Sequence, residues 1–287
     1  MSDEYLWDRS GTDDEVERLE GLLRPLALRS ATAPVLRRPR RSQWVLSLVA
    51  VAAAAAIAVV VFLPRGTETL REPRTFEFGK LGRITAEAKS RVKLIRQDHE
   101  LIKLRLEEGT VHAKIAADAR PRLFQVETPA TTCVDLGCQY TLTVDRAGRS
   151  RVRVTTGKVA FVLGAREVFI PAGAGCEATP GCRSATPYFD DAPGPVAQAI
   201  RAFDGASPSG RAAAARVVAV LVDRQRETLP LWHFLQDSDP LVILAGLDGL
   251  IRLVDIPKDI SRESSLKGDP GAIAAWKEYL DLVGAWW

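Results

Sequence analysis

Residues 44–63 read WVLSLVAVAAAAAIAVVVFL and contain no charged side chain. About 20 residues at a rise of about 1.5 Å each span about 30 Å, the depth of a bilayer's hydrocarbon core. In lipid every backbone group must find its partner within the segment, so such a run is expected to be a helix. Arg37, Arg38, Arg40 and Arg41 precede it, whereas Pro64 and a single Arg65 follow. That imbalance places residues 1–41 in the cytoplasm, lets residues 42–64 cross, and puts residues 64–287 outside. The expectation is a single-pass protein of the inner (cytoplasmic) membrane with its later domains in the periplasm. A buried core helix would rarely be so long and uncharged, and a cleaved signal peptide would lie nearer residue 1.

The formal charge of +3 hides a local contrast, because residues 1–20 are acidic while residues 24–41 carry Arg and no acid. No broad basic patch with interleaved aromatics appears, which argues against nucleic acid. Cys133, Cys138, Cys176 and Cys182 all follow the apolar run. An oxidising compartment permits disulfides there, and the short spacings favour Cys133–Cys138 and Cys176–Cys182, although four cysteines allow three pairings. Zinc is the alternative, but the spacings are not the usual C-x2-C and no histidine sits close in sequence.

In the tail, Thr12-Asp13-Asp14-Glu15 fits a capping box. Val16, Leu19, Leu22, Leu23 and Leu26 then recur on one helical face, until Pro25 kinks or ends the helix. Tyr5, Leu6 and Trp7 lie ahead of it. So short a helix is marginal alone in water, and its stripe has no visible domain to cover it. Binding a cytoplasmic partner through Tyr5, Leu6, Trp7, Val16, Leu19, Leu22 and Leu23 is the functional reading. The bland reading is a tail that lies on the bilayer or pairs with itself. The Arg- and Pro-rich stretch from Arg29 to Arg41 reads as a linker along an anionic leaflet.

From about residue 74 to 185 the period becomes two. Ile84, Ala86 and Ala88 alternate with polar residues, as do Ile102, Leu104 and Leu106, and then Val111, Ala113 and Ile115. This predicts an all-β antiparallel sandwich or roll of nine or ten short strands. Gly109, Gly148, Gly157 and Gly164 stand at expected hairpins or bends. One weak internal echo appears: Leu104 to Val111 and Val152 to Val159 share the pattern apolar-x-apolar-x-x-Gly-x-apolar.

Phe124-Gln-Val-Glu-Thr-Pro129, then Val134-Asp-Leu-Gly137, then Gln139-Tyr-Thr-Leu-Thr-Val144 together resemble the core motif of the FecR domain. A hairpin-like Val152 to Val159 and a closing Ile170-Pro-Ala-Gly173 continue the pattern, so the resemblance covers roughly residues 80–182. It implies a transmembrane, anti-sigma-like regulator whose tail binds a sigma factor and whose outer β domain senses an envelope signal or meets a periplasmic or outer-membrane protein. The motif residues themselves carry strand ends and bends. Thr128-Pro129 ends a strand because Pro cannot donate to a ladder, and Gly137 and Gly157 permit conformations other residues resist. Cys138 stands where the family more often has a small polar residue.

From about residue 190 to 287 helix signals replace alternation. Val196, Ile200 and Phe203 share one side, and Ala214, Val217, Val218, Leu221 and Val222 form an apolar face. Asp239-Pro240 and Asp269-Pro270 read as N-cap and first helical residue of helices over 241–254 and 271–286. Trp232, Phe234, Leu244, Leu247, Leu250, Ile251, Trp276 and Leu280 are the expected core. The region faintly resembles HEAT-type hairpins and is either a partner surface or a cap on the β domain. It departs from better-known FecR proteins, which end in a small α/β subdomain.

The sequence offers no catalytic motif. His99, His112 and His233 are dispersed, and no phosphate loop, Gly-x-Ser-x-Gly or His-Glu-x-x-His occurs. The reading is therefore not an enzyme, with no cofactor and no metal. Two other functions stand beside the regulator: a membrane-anchored binding scaffold with an idle tail, and a thiol-redox sensor.

Overall fold

The computed structural model describes residues 68–286, apart from 183 and 259. The apolar run and the proposed partner-binding residues Tyr5, Leu6, Trp7, Val16, Leu19, Leu22 and Leu23 lie outside the described residues. Among those described, no helix is long and apolar enough to cross a membrane. Gly66–Trp287 forms one compact unit.

Among the described residues thirteen strands make one curled sheet. They are β1 Glu68–Thr69, β2 Arg74–Glu77, β3 Gly82–Ala86, β4 Arg91–Gln97, β5 Ile102–Ile115, β6 Phe124–Glu127 and β7 Thr132–Asp135. There follow β8 Gln139–Val144, β9 Ser150–Thr156, β10 Lys158–Leu163, β11 Arg166–Pro171, β12 Ala174–Ala178 and β13 Tyr188–Phe189. The long β5 belongs to two half-sheets. Its first half pairs β4 and β6; its second half pairs β3 and β8. One half-sheet continues through β7, β10 and β11, and the other through β9, β12 and β13.

The burial pattern shows how one strand serves both. Ile102, Leu104 and Leu106 are buried, and beyond the bend Val111, Ala113 and Ile115 are buried. From Leu106 to Val111 is an odd step, which on a flat strand would put the two on opposite faces. Because β5 turns a corner at Gly109, both halves face one interior. Gly109 has φ 108°, and a Cβ there would collide with Ser90. The Ser90 hydroxyl occupies that space, accepting from Thr110 N at 3.1 Å and donating to Thr110 O at 3.2 Å. Ser90 also bonds the entry of the sheet, its carbonyl accepting Leu70 N at 2.9 Å.

The same device recurs at Gly157. Val152 and Val154 are buried on β9, and Val159 and Phe161 on β10, again an odd step. β9 pairs β8 and β12, whereas β10 pairs β7 and β11. Of the two expected alternatives, hairpin or bend, Gly109 and Gly157 are therefore bends, at which the chain turns a corner between half-sheets, and the echo marks that shared corner. Gly148 and Gly164 do sit in hairpins, joining β8 to β9 and β10 to β11. A second correction concerns strand direction. β5 and β6 run parallel, because residues 116–123 carry the chain back to the starting end of β5.

Six helices follow: α1 Gly194–Asp204, α2 Pro208–Leu221, α3 Leu229–Phe234, α4 Pro240–Leu253, α5 Arg262–Leu266 and α6 Pro270–Leu282. The expected caps form, with Asp239 accepting from Leu241 N at 2.9 Å and Asp269 from Ala272 N at 2.9 Å. The last helix stops before Gly284, whose φ of 70° reverses the chain and returns Trp286 to the core.

The helices pack on the end of the sheet. Phe169 of β11, Trp232 of α3 and Trp286 form an aromatic cluster with centroids 5.5–6.3 Å apart. Each indole buried here donates its N–H: Trp232 to Ile273 O, Trp276 to Ser265 Oγ, and Trp286 to Thr228 Oγ1, at 3.0–3.2 Å.

Candidate functional site

The cysteines are four free thiols, so the expected Cys133–Cys138 and Cys176–Cys182 disulfides are corrected. Cys138 and Cys182 donate hydrogen bonds elsewhere, and Cys133 and Cys176 are buried. Cys133 points inward from β7 and faces the Tyr140 hydroxyl. Cys138 donates to the buried carboxylate of Asp135, which also accepts Gly137 N at 3.1 Å. Burial first, and then the neighbouring Asp135, raises the Cys138 thiol far above its ordinary value; burial likewise raises Cys133. Burial also pushes Asp135 upward, against the bonds that favour its charge. Thiols held protonated are poor nucleophiles and poor metal ligands. Cys176 is buried on β12, and Cys182 donates to Ser184 O and Asp204 O at 3.2 and 3.3 Å. Among the described residues no group of three or more His, Cys, Asp or Glu is placed to hold a metal ion.

The motif residues are joined into one structural clasp. Thr128 Oγ1 donates to Thr131 O at 2.7 Å, accepts Thr131 N at 3.0 Å, and accepts the Ser150 hydroxyl at 2.8 Å. It thereby ties the β6–β7 turn to β9 across the sandwich. Gly137, with φ 92°, sits where its carbonyl faces the Gly157 corner. The outer face of β3, β5, β8 and β9 is polar and self-paired. His112 bonds Thr141 Oγ1 at 3.0 Å and Glu87 at 2.8 Å, and Arg153 pairs with Asp190 at 2.6 Å. His112 is thus a solvated strand residue.

The seam between sheet and helices is the region with unusual electrostatics. His233 on α3 is fully buried, with Nε2 2.9 Å from Phe169 O. Burial, and then the nearby Arg166 charge, depress it to about 3, so the imidazole is neutral at ordinary pH and Nε2 carries the proton it gives to Phe169 O. Arg166 in turn donates to His233 O at 3.2 Å. None of these contacts was visible in sequence, since β11 and α3 are separated by some sixty residues and share no motif. The one signal was a histidine inside the apolar Trp232-His233-Phe234 run.

Residues 70–160 match the family model described as FecR protein. The match starts ahead of the sequence resemblance and stops before its closing Ile170–Gly173 turn. Two crystal structures of a proposed anti-sigma factor from Parabacteroides distasonis ATCC 8503 are similar to the chain, each at 14% identity and a TM-score of 0.37. The alignment covers 46% of this chain and 62% of theirs, less than two thirds of their length. At that level the likeness bears on neither function nor partner. No curated protein matches the chain.

Proposed function

We propose, from the FecR domain that residues 70–160 form, that this chain is a transmembrane signalling regulator. Its tail, residues 1–41, holds a cytoplasmic sigma factor through Tyr5, Leu6, Trp7 and the Val16, Leu19, Leu22 and Leu23 stripe. The apolar run at 44–63 crosses the inner membrane, and the sheet with its helices senses an envelope signal or partner. The FecR domain following an Arg-flanked apolar run is the observation that carries the reading. One helix must transmit the change, so the outer part needs two states that the signal binds unequally.

The test is crosslinking in intact cells from photoreactive residues at Trp7 and Leu19 of the full chain, read by mass spectrometry. Recovery of a sigma factor supports the regulator. Lipid alone overturns it in favour of an anchored scaffold. Leu19→Asp with Leu23→Asp gives an independent readout, since a regulator loses its transcriptional output and a scaffold does not.

A further inference from the structure

Helix α2 is apolar on the side that faces solvent as well as on the side that faces the core. Ala215, Val218 and Ala219 turn inward and are buried. Val217, Val220 and Leu221 turn outward and are 53%, 69% and 37% exposed. A helix at the surface of a domain keeps that outer arc polar, and one that is apolar all round is normally buried. The three outward side chains lie within about 100° of one another around the helix axis, so they form one strip.

Two charges of opposite sign edge the strip. Arg216 stands beside it on the helix, and Asp223 lies one residue past the C-cap Val222, about two turns further on. Both are exposed, and neither side chain makes an ion pair or hydrogen bond among the described residues. The acid across the groove from Arg216 is Asp248 of α4, and Arg262 holds it at 2.7 Å. Arg252, in the same groove, gives its guanidinium to Ala219 O and Val222 O at the end of α2. The strip is thus left with an unpaired cation toward one end and an unpaired anion at the other.

What covers such a strip must present an apolar helix with the opposite charges in the opposite order. A second α2 running antiparallel does so. A twofold axis beside Val220 sets Arg216 of each copy toward Asp223 of the other, and lays Val217, Val220 and Leu221 against their own counterparts. Each Arg216 then also meets the negative end of the other helix dipole. A wholly acidic or wholly basic partner would leave one of the two charges unmatched.

We propose that two copies of this chain pair through antiparallel α2 helices, with Val217, Val220 and Leu221 at the seam and Arg216–Asp223 ion pairs at both ends. The pairing goes beyond the regulatory reading and holds whether or not the tail binds a sigma factor.

The experiment places Val220→Cys in the full chain, treats intact cells with a short bismaleimide, and reads covalent dimer on a denaturing gel. The unaltered chain and Leu282→Cys are the controls, since Leu282 is an apolar side chain away from α2 that is 82% exposed. Val220→Cys is expected to crosslink and both controls are not. Adding Arg216→Asp replaces two attractions by two repulsions and is expected to lower the covalent dimer about tenfold, as is adding Asp223→Arg. The two together exchange the charges and restore it, while circular dichroism of each purified variant shows an unchanged fold. No covalent dimer from Val220→Cys overturns the proposal, and so does equal crosslinking from Leu282→Cys. An undiminished dimer with Arg216→Asp, or a charge exchange that fails to restore crosslinking, overturns it as well.

Discussion

At the corners of the sheet the chain closes its interior by removing side chains, and at the seam it closes the interior by burying polar ones. Gly109 and Gly157 let two half-sheets meet without a Cβ between them. His233, Arg166 and Thr228 instead fill the joint between sheet and helices, and each makes a hydrogen bond there, although His233 Nδ1 and Arg166 Nε are left without one. The first solution tolerates no added atom. The second tolerates shape change but makes the joint answer to protons and charge.

Four variants or conditions separate the two solutions, each read by equilibrium denaturation of the full chain in detergent. Gly157→Ala is expected to be the most damaging, at about 3–5 kcal/mol, because a Cβ there meets the Gly137 carbonyl and the φ of 76° disfavours any side chain. Gly109→Ala follows at about 2–3 kcal/mol, since its collision is with Ser90. If it proves as mild as an exposed turn, the corner account of β5 fails.

The seam is probed by pH. Burial holds His233 down to about 3 in the folded chain, against about 6.5 for a solvated imidazole, so between those values the unfolded chain binds the extra proton. Its contribution is complete above pH 6.5 and is lost as pH falls toward 3. Going from pH 7 to 5 removes about 2 kcal/mol, and His233→Gln is expected to abolish that share of the slope. An unchanged slope in the variant would place the acid sensitivity elsewhere. Gly164→Ala is the smallest, at about 1 kcal/mol, because its φ is 64° but nothing lies within 4 Å of the added carbon.

The alternation that announced the strands was legible because half-buried sheets write their period directly into sequence. What a glycine between two strands does was not legible. Asp145 to Arg149 makes a tight hairpin around Gly148, while Glu108-Gly109-Thr110 continues one strand around a corner. Both look alike locally, and the difference lies in which distant strands are paired. Helix starts at Pro240 and Pro270 were readable from their Asp caps. The short α3 and α5 were not, since neither is long enough to show a period. Of the site residues, the cysteines were found but misread, because burial among Asp135, Tyr140 and Asp204 decides their state and short spacing does not. Arg166 and His233 carry no spacing signal at all; only folding assembles them.

The bond between Leu70 and Ser90 has a mechanical meaning. β1 is held by its short pairing to β4, and Leu70 exchanges hydrogen bonds with Ser90 O and Lys89 N at 2.9 and 2.8 Å. Ser90 is also the residue wedged into the Gly109 corner. A load applied to the chain at Thr69 is therefore borne first by a few hydrogen bonds and next by the hinge line where β5 passes from one half-sheet to the other. A short edge attachment of the sheet and one of its corners are thus one side chain apart.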